Sequence, residues 1–212
     1  MTMATRRRFL AAGAALALAC ATARAALLAG RDYVRLGQPL ATESGSKIEV
    51  LEFFWYGCPH CFDLEPVIER WSAKMPADAA LRRVPAIFRA NWEPGAKLFY
   101  TLEALGQTAR LHRPVFDAIH KERIPVHTGE KVMADWLEKH GIDRKKFQDT
   151  WASFAVRGKV ERAKQLTRAS RIEGVPALIV EGRYLAQANS HEGMMAVVDQ
   201  LVAQVRTERG RK

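Results

Sequence analysis

Two cysteines three positions apart, Cys58 and Cys61, directly follow an apolar, aromatic-rich run. That run, Ile48–Tyr56, predicts a buried strand, because β-branched and aromatic residues suit a covered, pleated surface. After Gly57 the apolar residues recur at helical spacing. Pro59 suits the first position of a helix, where its missing N–H has no partner to lose. The sequence therefore predicts that both cysteines lie where a buried strand gives way to a helix N-terminus.

The N-terminus of a helix stabilises a nearby anion, because its first N–H groups lack partners and the helix dipole is positive there. The Cys58 thiolate would lie closest to that end, and a protonated His60 would add positive charge beside it. A lower thiol pKa raises the thiolate fraction and stabilises the dithiol relative to the disulfide. The disulfide of such a pair is therefore expected to oxidise other thiols.

Three other uses of a Cys-x-x-Cys pair fit the sequence less well. A structural zinc site needs four ligands, and only Cys58, Cys61 and His60 lie near one another along the chain. Covalent haem attachment needs a histidine directly after the second cysteine, where Phe62 stands. A purely structural disulfide across so small a loop would stabilise the fold little. We therefore predict redox chemistry at the cysteines themselves, with no metal and no cofactor.

Residues 1–25 have the pattern of an export signal. Arg6–Arg8 form a basic start, and Phe9–Ala19 form an apolar stretch too short to span a membrane comfortably. The small residues of Ala23–Ala25 fit a cleavage site, so we expect the mature chain to begin near Ala26. It would then work in an oxidising compartment, the periplasm. The arginines also fit a twin-arginine signal, so the export route stays open.

Composition and charge narrow the function classes. The chain has 212 residues, 48% of them hydrophobic, which is enough for one sizeable core or a core with a smaller domain. Cys20 lies in the leader, so the mature protein would keep only Cys58 and Cys61. The net charge is +10, and loss of the leader's four arginines would leave +6. Because the charges are scattered and export is expected, we do not predict nucleic-acid binding.

Strand patterns lie on both sides of a long helical block. The strand candidates are Tyr33–Leu36, Ile48–Tyr56, Leu81–Phe88, Val175–Val180 and Arg183–Leu185. Pro85 predicts an edge position or a bulge for the third, because proline cannot donate a ladder hydrogen bond. Glu181 and Gly182 predict a hairpin turn between the last two. Ser190 can cap a final helix.

Residues 91–171 carry helical periodicity and interrupt the strands. Apolar spacing predicts three helices up to Gly141. Asp143 can cap a fourth helix that runs through Phe154 and continues beyond Gly158. The order of elements predicts an α/β fold: a small sheet with helices on both faces, interrupted once by a helical block.

Three segments carry a resemblance to a known family: Val50–Phe54, Cys58–Cys61 and Gly174–Ala177. With these segments and the helical block, the sequence resembles the DsbA family of exported thiol:disulfide oxidoreductases. The resemblance covers essentially the whole mature chain and implies a thioredoxin-like fold with an inserted all-helical domain. The implied division is a signal peptide at 1–25, a discontinuous thioredoxin-like domain at 26–90 and 172–212, and the inserted domain at 91–171.

The resemblance also implies roles within the Cys-Pro-His-Cys motif. Cys58 would be the exposed nucleophile that carries the mixed disulfide with substrate, and Cys61 the buried partner that resolves it. His60 would make the disulfide oxidising through its interaction with the Cys58 thiolate, and Pro59 completes the motif. The chain departs from the family's usual Phe-rich approach at Trp55 and the two residues after it, so surface contacts near Cys58 are expected to differ.

Residues outside the motif receive roles from the same resemblance. Pro176 would be the cis-proline that faces the redox pair, and Val175 would offer backbone groups to an extended substrate; a plain strand start is the alternative. Glu52, a lone carboxylate in an apolar strand, would be costly to bury charged, so it should reach water or pair with a cation such as Arg83. In the family this glutamate exchanges protons with the buried cysteine. The remaining histidines are expected to be structural or on the surface: His112, His120, His127, His140 and His191.

The predicted function is that of a periplasmic dithiol oxidase that donates its Cys58–Cys61 disulfide to newly exported, unfolded proteins. As in the family, a quinone-linked membrane protein of the DsbB type would reoxidise it, and we expect a monomer. A reductase or isomerase of the same fold is one alternative, although isomerases need an N-terminal dimerisation domain, for which the residues before the central strand leave no room. A peptide-binding export chaperone with idle cysteines is the other.

Overall fold

The structure, a computed structural model, describes residues 26–210. The predicted leader, with Cys20 and the cleavage pattern Ala23–Ala25, lies outside the described residues. Nothing in the described part of the chain is a helix long and apolar enough to cross a membrane.

A mixed sheet of five strands forms the centre of the described chain, in the order β1-β5-β4-β2-β3. The strands are β1 Tyr33–Arg35, β2 Ile48–Phe54, β3 Ala79–Pro85, β4 Ala177–Val180 and β5 Tyr184–Ala186. Strand β2 pairs in parallel with β3 and antiparallel with β4, and every one of its residues is buried. The predicted central strand is thus confirmed, although it ends two residues earlier, at Phe54.

Strand β3 lies at the edge of the sheet, as Pro85 predicts. Its bounds differ from the predicted Leu81–Phe88. Pairing with β2 begins where Ala79 meets Ile48 and ends where Pro85 meets Phe54. At this edge the proline ends the ladder without leaving a neighbouring strand unpaired.

Seven α-helices lie between residues 26 and 210: α1 Pro59–Ser72, α2 Glu93–Ala104, α3 Thr108–His120, α4 Glu130–Lys139, α5 Arg144–Trp151, α6 Phe154–Ser170 and α7 His191–Gly210. Alternate residues of β2 face opposite sides of the sheet. Val50 packs into a core with residues of α1 and α7, whereas Leu51 and Phe53 pack into a core with residues of α2–α6. Helices α2–α6 fall between β3 and β4, where the insertion is predicted; the exact domain division stays a prediction.

The predicted fourth helix of the block is wrong in one respect, since it is two helices. Asp143 caps α5 by accepting a hydrogen bond from the Lys146 N–H at 2.7 Å, as predicted. The chain then stops being helical, and Ser153, in extended backbone, caps α6 by accepting from the Val156 N–H at 3.2 Å. Phe154 is 83% exposed and so does not continue the apolar face. The sequence pattern places Ser153 inside one helix, but its cap begins a second helix there.

The segment from β4 to α7 has the hairpin turn and the helix cap that its sequence predicts. Strands β4 and β5 form an antiparallel hairpin, and Glu181 and Gly182 at its turn both have positive φ, 54° and 61°. Such a turn matches the twist of the strands it joins. Ser190 caps α7, its hydroxyl accepting from the Gly193 N–H at 3.0 Å. The predicted hairpin and final cap are both confirmed.

Candidate active site

Cys58 occupies the N-cap of α1, the last extended residue before the helix. Its N–H donates to the Trp55 carbonyl at 3.0 Å, which closes the turn from β2, and its own carbonyl accepts from the Phe62 N–H at 3.1 Å, which starts the helix. Pro59 takes the first helical position, as predicted. The sulfur therefore lies beside helix N–H groups that have no partner within the helix.

The turn before Cys58 is built around a glycine and two stacked indoles. Trp55 stacks on Trp92 with ring centroids 4.2 Å apart and planes only 2° from parallel, and His127 meets the Trp55 ring edge-on at 5.6 Å. A Cβ on Gly57 would lie 2.5 Å from the Trp55 ring, so only glycine fits there without displacing it. The departure from the family at Trp55 thus produces an aromatic stack beside the redox turn.

The environment of Cys58 favours its thiolate. A hydrogen bond from the Cys61 thiol contributes most, followed by the N–H groups of Cys61 and His60 and the positive charge of a protonated His60. Burial opposes these effects, yet together they lower the pKa of the Cys58 thiol to about 6. The side chain is 8% exposed, which is far less than the exposed nucleophile that the resemblance implies. The Cys61 hydrogen bond and the N–H groups at the helix start, rather than free access to water, account for the low pKa.

The environment of Cys61 disfavours its thiolate. The side chain has no solvent exposure, and this burial is the main cause that raises the pKa of its thiol. The hydrogen bond that it donates to Cys58 raises the pKa further, as does the nearby charge of Cys58. The two thiols of one motif are therefore shifted in opposite directions: Cys58 is the stronger acid and Cys61 holds its proton.

The loop before β4 meets the redox pair from the other side. The peptide bond between Val175 and Pro176 is cis, and the Cys58 thiol donates to the Val175 carbonyl at 3.4 Å. The predicted cis-proline and its placement beside the cysteines are thus present. A cavity of about 520 Å³ follows this loop from Arg171 to Ala177 and reaches Leu185 of β5.

Glu52 lies fully buried in β2, and Arg83 of β3 is its closest cation, with Nε 2.9 Å from Oε2. The predicted pairing is therefore present, but neither oxygen of Glu52 has a hydrogen bond of acceptable geometry within the described residues. Burial outweighs the attraction of Arg83, and it raises the pKa of the Glu52 carboxyl to about 7.

Glu49, in the same strand and equally buried, behaves in the opposite way. Burial alone would raise its pKa, but two hydrogen bonds from Arg82, both 3.0 Å, and others from the Glu43 N–H and the Ser44 hydroxyl outweigh it. The pKa of Glu49 is lowered as a result. Hydrogen bonds, more than the presence of an arginine, thus separate the two carboxylates.

Three histidines that were expected to be structural or on the surface converge on this site from α3 and the loop between α3 and α4. His112 of α3 lies between Tyr56 and the α1 carboxylate Glu65, at 2.9 Å and 3.1 Å. His120 donates to the Tyr56 carbonyl at 2.8 Å, and His127 contacts Trp55. Their spacing from the motif gives no local signal, because the contacts join residues far apart in the chain. Within residues 26–210 no cluster of three metal-ligating side chains occurs.

Comparison with known proteins decides the family. Residues 73–201 match the model of the DSBA-like thioredoxin domain. The thiol:disulfide interchange protein DsbA of Pseudomonas aeruginosa is 42% identical over 84% of this chain and 85% of its own length. That of Bordetella parapertussis is 40% identical over 97% of this chain and 100% of its own length. The chain belongs to the DsbA family.

The fold agrees with this assignment. The crystal structure of Pseudomonas aeruginosa DsbA is similar to this structure with a TM-score of 0.82, 40% sequence identity, and coverage of 87% of this chain and 97% of that chain. The predicted resemblance and the thioredoxin-like α/β fold are confirmed, and the protein is a thiol:disulfide oxidoreductase of the DsbA type. Its two cysteines, with opposed acidities at a helix N-terminus, have the arrangement that such exchange requires.

Proposed function

We propose that this DsbA-family protein is a periplasmic dithiol oxidase, which donates its Cys58–Cys61 disulfide to newly exported, unfolded proteins. The observation that carries the proposal is the opposite shift of the two thiols: the pKa of Cys58 falls to about 6 and that of Cys61 rises. A dithiol with one stabilised thiolate is more stable relative to its disulfide, so the disulfide gives up its oxidising equivalents readily.

The exchange proceeds in two balanced steps. A substrate thiolate attacks the Cys58 sulfur, the new substrate–Cys58 bond replaces the Cys58–Cys61 bond, and Cys61 leaves with the electron pair and takes up a proton. A second substrate thiolate then attacks the substrate sulfur of the mixed disulfide, and Cys58 leaves as its stabilised thiolate. The substrate is oxidised by two electrons, and the enzyme becomes a dithiol. Cys58 suits both roles, since a thiol of low pKa is the better leaving group.

The shift has a definite size in free energy. Lowering the Cys58 pKa from its ordinary 9.0 to about 6 stabilises the dithiol at neutral pH by at most about 1.4 kcal/mol, or about 30 mV. Solvent near the partly accessible sulfur screens part of this effect. The thiolate is therefore one contributor to the oxidising potential, and any further contribution must come from other interactions that favour the dithiol form over the disulfide form.

The loop at Val175 and Pro176 offers a place for the substrate chain. The Val175 carbonyl already approaches the Cys58 sulfur, and the neighbouring cavity of about 520 Å³ has room for an extended segment. Backbone hydrogen bonds to such a segment do not depend on its side chains, which suits many different unfolded substrates. A quinone-linked membrane protein of the DsbB type would restore the disulfide, and the enzyme would act as a monomer.

The deciding experiment is the equilibrium of the Cys58–Cys61 pair with defined glutathione buffers, using protein that begins near Ala26. An oxidase stays reduced in all but strongly oxidising buffers. A pair that stays disulfide-bonded in buffers as reducing as thioredoxin tolerates would mean a reductase or a structural disulfide. A Cys58→Ser/Cys61→Ser double variant tests the chaperone alternative, because a peptide-binding function would survive the loss of both thiols and an oxidase would not.

A further inference from the structure

A continuous chain of polar contacts runs through the protein beneath the redox pair. The Tyr56 hydroxyl lies 2.9 Å from His112 Nδ1, and His112 Nε2 lies 3.1 Å from Glu65 Oε1. Glu65 Oε2 accepts from Arg83 at 3.3 Å, and Arg83 Nε lies 2.9 Å from Glu52 Oε2. Both carboxylates are fully buried, and His112 is 6% exposed. These polar contacts therefore join the two buried carboxylates, Glu52 and Glu65, through the guanidinium of Arg83.

The charges of this network do not balance when both carboxylates are ionised. Arg83 keeps its proton at any physiological pH and can neutralise one of them. Burial lowers the pKa of His112 to about 3, so it adds no positive charge. A second buried anion without a partner is costly, and a proton on one carboxylate removes that cost. One of Glu52 and Glu65 is therefore expected to be protonated.

Hydrogen-bond donors decide which carboxylate that is. In the tautomer that we assign, the Tyr56 hydroxyl donates to His112 Nδ1, its only hydrogen-bond partner within the described residues. A neutral imidazole that accepts at Nδ1 carries its proton on Nε2, and this N–H points to Glu65. Glu65 then accepts from both His112 and Arg83, as an ionised carboxylate does. Glu52 accepts from neither with acceptable geometry.

We propose that His112 is a positioning residue for thiol–disulfide exchange: with Tyr56 it holds Glu65 ionised, commits the charge of Arg83 to Glu65, and so leaves the proton on Glu52. The proposal rests on the proposed oxidase function, and within it on the role that the family resemblance implies for Glu52, the exchange of a proton with Cys61. In the first exchange step Cys61 leaves as a thiolate and takes the proton of Glu52, which becomes a carboxylate and is later reprotonated by solvent. A protonated Glu52 also places no negative charge beside the forming thiolate.

The groups that act on this equilibrium come from three elements, β3, α1 and α3. The charges of Arg83 in β3 and Glu65 in α1 act on Glu52, and the charge of Glu52 in turn acts on Cys61. Near the α1–α3 contact, Arg113 attracts the Glu65 carboxylate, and Glu69 favours a charged His112. These surface charges are unchanged in the variants below, so a change in the Glu52 proton reports on His112.

The test is a pH titration of isotope-labelled glutamate carboxyl carbons by NMR, in the disulfide form of the full protein. We expect Glu52 protonated and Glu65 ionised in the unmodified chain. His112→Leu removes the donor to Glu65, so the ratio of protonated to ionised Glu52 should fall about tenfold, and Glu65 should gain the proton. His112→Gln keeps a donor and an acceptor in the same place and should restore the original distribution. His140→Leu, far along the chain, is the matched control.

A second variant protects the test against misfolding. Tyr56→Phe removes one oxygen, frees the His112 tautomer and should shift the same equilibrium in the same direction by a smaller amount. A Glu65 that carries the proton in the unmodified protein, or a Glu52 titration unaffected by both variants, would overturn the proposal.

The pH profile of the first exchange step separates this inference from the role of Glu52. In His112→Leu, this pH profile should shift together with the titration of Glu52. Loss of a purely structural histidine would not cause such a shift. If Glu52→Gln leaves the pH profile unchanged while the titrations behave as expected, the proton role of Glu52 fails but the control by His112 stands.

Discussion

The two sides of the Cys58–Cys61 pair contain the same chemical group in opposite surroundings. On the Cys58 side lie the hydrogen bond from the Cys61 thiol, the N–H groups of a helix N-terminus and a neighbouring histidine, and the thiol pKa falls. On the Cys61 side lie a closed core and the carboxylate of Glu52, and the thiol pKa rises. One turn of helix thus separates a thiol that favours its thiolate from a thiol that keeps its proton.

This difference teaches that location along the helix, more than residue type, sets the chemistry of each thiol. The same lesson applies to the carboxylates of β2. Glu49 and Glu52 are both buried and both lie beside an arginine, yet only Glu49 has hydrogen bonds of good geometry, and their pKa values shift in opposite directions. Burial raises the pKa of an acid, and donors of hydrogen bonds lower it.

The largest effect is expected when each thiol is removed in turn. Cys58→Ser should abolish oxidation of a reduced model peptide. Cys61→Ser should leave Cys58 able to accept a mixed disulfide, and such complexes should persist because the resolving thiol is absent. Mass spectrometry of the protein after incubation with the oxidised peptide counts the mixed disulfides. Equal accumulation in both variants would contradict the division of roles between the two sides.

The next effect concerns the stability of the buried side. Arg83→Met leaves Glu52 and Glu65 without their shared cation, which should lower the free energy of unfolding by about 3–5 kcal/mol. Arg206→Met breaks an exposed pair with Asp78 and should lower the free energy of unfolding far less, because water screens that pair. Urea denaturation of the two variants measures both. Similar losses would mean that the buried network is as well solvated as the surface pair.

The pH dependence of stability isolates the Cys58 side. Because the folded pKa of Cys58 is depressed, its stabilisation is complete above the unfolded pKa of 9.0 and is lost as the pH falls through about 6. The unfolding free energy of the dithiol form, minus that of Cys58→Ser, should therefore rise between these values by at most about 1.4 kcal/mol per pH unit. Below its ordinary pKa, Cys61 stays protonated in both the folded and the unfolded state, so it does not contribute to the pH dependence of this difference. A flat difference would show that the surroundings of Cys58 do not stabilise its thiolate.

The smallest effect is expected from His60. Its charge is the least of the causes that lower the Cys58 pKa, after the Cys61 hydrogen bond and the backbone N–H groups. His60→Ala should therefore raise the Cys58 pKa by less than about one unit, which is less than tenfold in the glutathione equilibrium. Titration of the thiolate absorbance measures the pKa, and His191→Ala is the matched control. A larger change would mean that the charge of His60, and not the Cys61 hydrogen bond with the backbone N–H groups, contributes most to the low pKa of Cys58.

Much of the site could be predicted from the sequence, because its signals are local. The apolar run before the cysteines, Pro59 at the helix start, the caps at Asp143 and Ser190 and the Glu181–Gly182 turn each act within about four residues of the chain. The same local rules explain the error at α5 and α6, since Ser153 is a cap only if the chain turns there.

Tertiary structure alone decided how the acidities of the site are set. Glu52 could be predicted to need a cation, and Arg83 was the candidate, but only the pairing of β2 with β3 brings them to 2.9 Å without good hydrogen-bond geometry. The contacts of His112 with Tyr56 and Glu65 join α3 to the turn before α1 and to α1 itself, across 56 and 47 residues. No periodicity or motif encodes such contacts, because they depend on how α3 packs against α1. The sequence thus determined where the thiols lie, and packing determined where their protons go.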